Sequence, residues 1–423
     1  MDNCQQILIG NFTKWLIDNG VNFGDYELKY DGEDIGYSIY TKKCYRENEK
    51  IIDIPDSLLI TAGKIARMKT YNNICLKHKL KPLHLLVLFF AIESQNINSK
   101  FKPYFDILPK TFNTPIMKIP NLNPESLPTN TREFWFAQQK EWKEIEEKLL
   151  AIEECKELDK HLLVWAWQLV NTRCIYVENK ENELLDNCEG DTIAVIPLVD
   201  MLNHSCNANT IANHFPKTSR YCVTSTRSIV EGKQIYVCYG GHDNGRLWIE
   251  YGFTLPDNIH NRVKINHNLL FVLLDKLKIK VSSGQKKAIL DANYPFTLFA
   301  SDIEPSYSMR ANIRLCLLEP KLLINWRKNL SSIDDNEAEK YIYKEDDILK
   351  KILKLLSNLF LSKSEKVSSD LKWLWVDNIK IIEQFLINWE KKKNKDESDF
   401  KLDSFKQDDD FIYNNIQDMS LKA

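Results

Sequence analysis

The chain has 423 residues, 43% of them hydrophobic and 27% charged, which allows two or three domains around a sizeable buried core. Its 57 basic and 59 acidic residues nearly cancel, which argues against direct binding of nucleic acid. The ten cysteines form no C-x-x-C pair, Met1 to Gly10 lacks a basic leader, and the most apolar stretch, Leu83 to Ile92, is too short to span a bilayer. These features predict a soluble cytoplasmic and/or nuclear protein with reduced thiols, no structural zinc and no membrane association.

In chain order, Gln6 to Asn19 predicts an amphipathic helix, with Ile7, Phe12, Trp15 and Leu16 at helical spacing. Short strands are then expected at Glu27–Tyr30, Tyr37–Tyr40 and Lys50–Ile54, where polar and apolar residues alternate between glycine-marked turns. A helical block follows from about Ala62 to Val170. Pro82 stands at a first helical position, and Tyr104 to Leu108 lies between Pro103 and Pro109 as a turn or short helix. Arg132 to Cys155 carries Glu/Lys pairs at i,i+4 and predicts an exposed helix, while His161 to Val170 is apolar enough to be buried. Strands return at Ile193–Ile196, Thr210–His214, Arg220–Thr226 and Gln234–Cys238, with a helix at Asn244–Ile249. Beyond Asn266 the pattern is helical over Leu269–Lys280, Ile348–Leu361 and Leu371–Lys391, and the Lys391 to Lys393 run reads as a solvated helix end.

This order predicts an α+β chain. A β-rich domain over residues 22–262 carries a helical insertion at about 62–170; an all-α C-terminal domain over 263–394 and a loose acidic tail over 395–423 follow.

The chemistry concentrates in three segments. Asp200-Met-Leu-Asn203-His204-Ser-Cys206-Asn-Ala-Asn209 follows an apolar strand and Pro197. Glu231-Gly-Lys-Gln-Ile-Tyr-Val-Cys238-Tyr239-Gly240 comes about thirty residues later, and Glu250-Tyr251-Gly252-Phe253 ends a helix. The ordered triple of N-H-S-C-x-x-N, Y-G and Y-G-F resembles the signature of SET-domain protein methyltransferases. Lys102-Pro-Tyr-Phe-Asp-Ile-Leu-Pro109 and Trp165-Ala-Trp-Gln-Leu-Val-Asn-Thr-Arg173 are similar to elements of the branch related to plant Rubisco large-subunit methyltransferase.

The resemblance implies a threaded, knot-like SET core and a helical C-terminal domain that binds substrate. It implies S-adenosylmethionine as cofactor and a protein lysine as target, in a monomeric enzyme. Asn203 and His204 take the places that hold adenine; Glu33, Asp34, Ile35 and Gly36 match a cofactor loop whose first glycine is replaced. Tyr239 matches the catalytic tyrosine facing the sulfonium methyl, and Phe253 borders the cofactor. Arg173 has two readings, as a partner of the methionine carboxylate or of Asp200; Arg173, Asp200 and Tyr251 would also border the substrate. Cys206 and Cys238 read as small buried residues, and the cysteine cluster that holds zinc in some SET enzymes is absent after Phe253, so no metal is expected. Methylation of a histidine, and a catalytically weak module serving as a peptide-binding scaffold, stay open as alternatives.

Overall fold

The computed structural model describes residues 3–186, 191–331 and 335–420, and the chain divides into two compact units: Met1–Leu122 with Phe134–Leu255, and Asn123–Glu133 with Pro256–Ala423. Among the described residues no helix is long and apolar enough to cross a membrane.

The first unit opens with helix α1 (Asn3–Asp18), which buries Phe12 and Leu16. The expected domain start at 22 therefore leaves out a helix that belongs to this core. Strands β1 (Tyr26–Tyr30), β2 (Tyr37–Thr41) and β3 (Lys50–Pro55) follow, with β4 (Ile60–Thr61) leading into α2 (Ala62–Ile65). The insertion then runs through α3 (Lys69–His78), α4 (Pro82–Glu93), α5 (Lys102–Ile107), α6 (Pro115–Lys118), α7 (Thr129–Leu150, of which 129–133 count with the second unit) and α8 (Lys160–Arg173). Pro82 takes the first position of α4, where its missing N–H costs nothing, and the Asp159 side chain caps α8 through the His161 N–H.

After α8 come β5 (Cys174–Tyr176), β6 (Ile193–Val195), β7 (Asn203–His204), β8 (Thr210–Phe215), β9 (Arg220–Ser225), β10 (Tyr236–Val237) and α9 (Asn244–Tyr251). They build small sheets rather than one large one. Antiparallel β1–β2 is a hairpin; β3–β9–β8 and β4–β6–β5 are three-stranded; β7 pairs with β10 in parallel. In the parallel pair Asn203 opposes Tyr236 and His204 opposes Val237. The approach to β10 also bonds to β2, since Ile235 N–H donates to Ile39 O at 2.8 Å and Gly232 N–H to Thr41 O at 2.9 Å. The segment that ends in Tyr239 is thus held between β2 and β7.

In the second unit, β11 (Arg262–Ile265) and β12 (Phe296–Phe299) form an antiparallel pair. This corrects the all-α expectation for the C-terminal region. Alternate burial of Val263, Ile265, Phe296 and Leu298 drives the pairing, a period-2 pattern too brief to stand out in the sequence. Helices α10 (His267–Lys276), α11 (Ser283–Ala292), α12 (Tyr307–Leu317), α13 (Pro320–Leu323), α14 (Trp326–Ser331), α15 (Asp335–Ser364) and α16 (Ser369–Ser420) complete it. Helix α16 continues to Ser420 across the stretch from 395 whose composition suggests a loose tail; residues 421–423 lie outside the described residues. The Lys391–Lys393 run is not simply solvated. Lys392 pairs with Glu304 at 2.8 Å, and Lys393 pairs with Asp346 and lies over the rings of Tyr343 and Trp389.

An ion cluster is buried in this unit. Glu345, fully buried, accepts two hydrogen bonds from Arg314, at 2.5 and 3.1 Å, and Arg310 reaches Asp346 at 2.6 Å. Removing one charge leaves its partner desolvated and unpaired, which costs more than the pair contributes when intact. Glu345→Gln should therefore destabilise this unit by about 3 kcal/mol, read as a lower midpoint in chemical unfolding followed by tryptophan fluorescence.

Candidate functional site

Every residue of the expected site lies in the first unit. Arg173 ends α8, and the turn into β5 fixes where its side chain leaves the backbone. Asp200 stands in a single helical turn, Val199–Met201, just after Leu198, a buried leucine held at φ 79°. A β-carbon at that φ is strained, and the surrounding core pays for the conformation. The turn aims Asp200 inward, where its side chain is fully buried. Arg173 Nη1 donates to Asp200 Oδ2 at 2.8 Å and to its backbone oxygen at 3.2 Å. Tyr104, on α5 of the insertion, donates its hydroxyl to the same Oδ2 at 2.7 Å. The arginine thus makes the ion pair with Asp200. Its Nε and Nη2 take no partner among the described residues. Asp200 Oδ1 is likewise a buried acceptor without one.

Asn203 and His204 diverge from β7 in opposite directions. Asn203 Nδ2 donates to Ser38 Oγ at 2.8 Å, which ties the N-H pair to the start of β2. His204 is buried, and its Nδ1 accepts from the Tyr239 N–H at 3.1 Å, leaving the ring proton on Nε2. The imidazole stacks on Tyr239 with centroids 5.1 Å apart and lies 6.2 Å from Phe253. Tyr251 completes the aromatic cluster, 5.2 Å from Tyr239 and 6.1 Å from Phe253.

The Tyr239 hydroxyl donates to Leu202 O at 2.8 Å, so the remaining lone pairs on that oxygen are acceptors. Burial raises its pKa well beyond the usual phenol range, and burial also pushes Tyr251 up to about 12. Both rings stay neutral over any physiological pH.

A cavity of about 340 Å³ is lined by Arg173, Asp200, Leu202, Tyr239 and Tyr251, with edge strands β5 and β8 on its sides. Asn203, His204, Phe253 and the 33–36 loop do not line it. The expected residues therefore form two groups, and Tyr239 belongs to both, as cavity wall and as the ring against His204. Within the β1–β2 turn, Glu33, Asp34 and Ile35 are exposed, and Gly36 leads into Tyr37 and Ser38 beside Asn203. Gly32 and Gly36 both adopt positive φ, at 103° and 75°, and the Gly36 N–H donates to Gly32 O at 2.7 Å. The turn's two left-handed positions are four residues apart, which explains why no G-x-G is visible.

Two residues of this region escaped the sequence reading. Asn209, the last asparagine of N-H-S-C-x-x-N, accepts from Tyr236 N–H at 2.8 Å and donates to Gln234 O at 3.0 Å, which fixes the strand bearing Tyr239. Its place in the motif was the available signal. Tyr104 was visible only as part of the P-Y element. Cys238 is exposed and Cys206 half-buried, against the expectation that both are packed in the core; Cys206 Sγ lies 4.0 Å from His204 Nε2. Among the described residues no group of three or more metal-ligating side chains is present, and none of the nine described cysteines forms a disulfide.

Known proteins resemble this chain in sequence and in fold. Residues 36–240 match the SET domain family model. SET domain-containing protein 4 of Homo sapiens is 29% identical over 371 residues, 82% of this chain and 83% of that protein. Ribosomal lysine N-methyltransferase set11 of Schizosaccharomyces pombe is 25% identical, covering 69% of this chain and 70% of its own length. The crystal structure of the SET domain of LSMT bound to lysine and AdoHcy shares the fold, with a TM-score of 0.61 at 18% identity over 92% of each chain.

Proposed function

We propose that this chain, whose residues 36–240 match the SET domain family model, transfers a methyl group from S-adenosylmethionine to the side-chain amine of a lysine in a protein. The observation that carries this reading is the double position of Tyr239. One side of the ring borders the 340 Å³ cavity, and it stacks on the histidine of the N-H pair. A group placed there meets both a ligand in the cavity and a ligand held beside Asn203 and His204.

The donor set fits the cofactor. Arg173 keeps two nitrogens open among the described residues, so its fork suits an α-carboxylate. Asn203 and His204, with the Phe253 ring close by, would hold the adenine end. Gly36 lets the backbone approach closely. When bound, S-adenosylmethionine supplies an electrophilic methyl on sulfur.

The chain's own side chains then do the aligning. A lysine ammonium has a pKa of about 10.4 in water and must lose its proton to solvent before its lone pair can attack. The apolar stretch of wall at Leu202, Ala212 and Val237 disfavours the charged form and lowers that pKa. Tyr239 Oη, its proton committed to Leu202, accepts an amine N–H and so aims the nitrogen lone pair away from itself. The face of Tyr251 stabilises the alkylammonium product. Such alignment removes roughly 7–11 kcal/mol from a bimolecular barrier, with no covalent intermediate on the protein.

A pH profile follows. The rate should climb from pH 7 toward pH 10 as the substrate amine deprotonates. Tyrosine is needed neutral, and a raised pKa extends its neutral range upward. No descending limb from Tyr251 should therefore appear below about pH 11, since that group is pushed up to about 12. A fall in kcat/KM between pH 8 and 9 would contradict this assignment.

The function is tested by mapping the label. Purified protein, S-adenosylmethionine and a cell extract are incubated, and modified peptides are read by mass spectrometry. Methyl groups on lysine support the reading; methyl groups on histidine alone would replace it with histidine methylation. Failure to bind S-adenosylmethionine at millimolar concentration would favour the scaffold.

A further inference from the structure

We propose that Tyr104, from the helical insertion, is a positioning residue for the cofactor: through Asp200 it sets the guanidinium of Arg173 so that its open edge faces an α-carboxylate. The inference rests on the cofactor reading of Arg173 given above and adds a residue that touches neither cavity nor cofactor loop.

The geometry runs through one oxygen. Asp200 Oδ2 accepts from Tyr104 Oη at 2.7 Å and from Arg173 Nη1 at 2.8 Å, and the Asp200 backbone oxygen takes the same Nη1 at 3.2 Å. With Nη1 held twice, the guanidinium plane is fixed and Nε and Nη2 remain for a ligand. The Asp200 carboxylate is fully buried, and its other oxygen has no partner among the described residues. Among the described residues, the side chains that hold the rotation of that carboxylate by hydrogen bonds are Tyr104 and Arg173.

Tyr104 is itself immobile. It is fully buried, its ring lies 5.9 Å from Phe12 and 6.1 Å from Phe105, and its hydroxyl hydrogen has a single acceptor. A buried phenol next to a buried carboxylate is costly to build unless its hydrogen bond does something. A phenylalanine here would pack equally well and serve as plain core. The hydroxyl is thus what α5 contributes to the site, and it explains why a tyrosine follows Pro103.

The test compares two ligands that share the adenosine and differ at the other end. S-adenosylhomocysteine carries the amino-acid group; 5′-methylthioadenosine lacks it. Their dissociation constants are measured by calorimetry for the full-length wild type, Tyr104→Phe and Arg173→Lys. Tyr104→Phe keeps the ring and loses one hydrogen bond to a charged group, so affinity for S-adenosylhomocysteine should fall about tenfold. Affinity for methylthioadenosine should stay within about twofold, which a general loosening of the core would not produce. Because Asp200 carries the link, Tyr104→Phe in an Asp200→Asn background should add no further loss, a non-additivity expected of residues acting in one chain. Should Tyr104→Phe prove unstable, Asp200→Asn alone, measured with the same two ligands, carries the test: it removes the link and should shift the affinity ratio in the same direction, and an unchanged ratio overturns the inference.

An unchanged ratio of the two affinities in Tyr104→Phe overturns the inference. If Arg173→Lys shifts the ratio and Tyr104→Phe does not, only the positioning role falls. If neither shifts it, the cofactor reading of Arg173 falls as well. Equal weakening of both ligands would mean that Tyr104 is only a packing residue.

Discussion

Tyr239→Phe is expected to lower the rate of methyl transfer roughly 10- to 100-fold while leaving S-adenosylhomocysteine affinity within about threefold of wild type; the rate figure corresponds to losing one hydrogen bond to a group that gains charge in the reaction. The ring should stay in place, because its stacking on His204 at 5.1 Å and its tilted contact with Tyr251 at 5.2 Å do not involve the hydroxyl. On the proposed reading it is the hydroxyl, not the ring, that orients the amine. Its loss also strips the Leu202 carbonyl of the donor that lies 2.8 Å away. The effect should therefore appear in kcat more than in ligand affinity, the pattern of an interaction realised in the transition state. Steady-state rates beside calorimetric affinities separate the two. A tenfold loss of S-adenosylhomocysteine affinity with kcat unchanged would mean that Tyr239 is a binding residue only.

The second large effect is expected at Gly252, between Tyr251 and Phe253. Its φ is 81°, where a side chain is strained, and a β-carbon there would come within 2.6 Å of the Asn113 carbonyl carbon and 2.7 Å of the Thr114 nitrogen. Both obstacles are backbone. Thr114 cannot give way easily, because its hydroxyl is bonded to the buried Gln168 on α8. Gly252→Ala should therefore destabilise the first unit by about 3 kcal/mol, from left-handed strain of about 1–2 kcal/mol plus the cost of displacing packed backbone. For a domain of this size the melting temperature should drop about 6–12 °C. Activity should fall further than stability, since the residue connects two rings of the aromatic cluster. A melting temperature within two degrees of wild type, with full activity, would show that the backbone at 113–114 yields freely.

Much of this site was legible because its residues sit in short contiguous motifs. Asn203 and His204 face the segment of Tyr239 through a parallel pairing of only two residues, and the motif order announced that meeting. The pairing of β3 with β9 was not announced, since Ile52 meets Val223 across a long stretch of chain with no local signal. The strands expected from alternating residues are present, with ends displaced by one or two positions. The β11–β12 pair was missed because each strand has four residues and the connection holds two helices.

Charges were harder to place than apolar residues. Lys393 belongs to a solvated-looking run, yet it reaches Asp346 in the unit's interior. No spacing rule predicts a contact between helices that far apart in sequence. Cysteine burial was misjudged for a related reason: Cys238 continues an apolar strand pattern, but the strand ends at Val237 and the thiol emerges into solvent. Arg173 stood between two readings in the sequence. The structure gives it Asp200 as a partner through Nη1, while Nε and Nη2 take none among the described residues, an arrangement compatible with both readings.

The most direct test of the central claim is transfer of label from methyl-labelled S-adenosylmethionine to protein in a cell extract, with wild type and Tyr239→Phe side by side. The account predicts labelled bands with the wild type that yield methyllysine on hydrolysis and are strongly reduced with the variant. Labelled bands of equal strength in both samples, or none with the wild type, would contradict it.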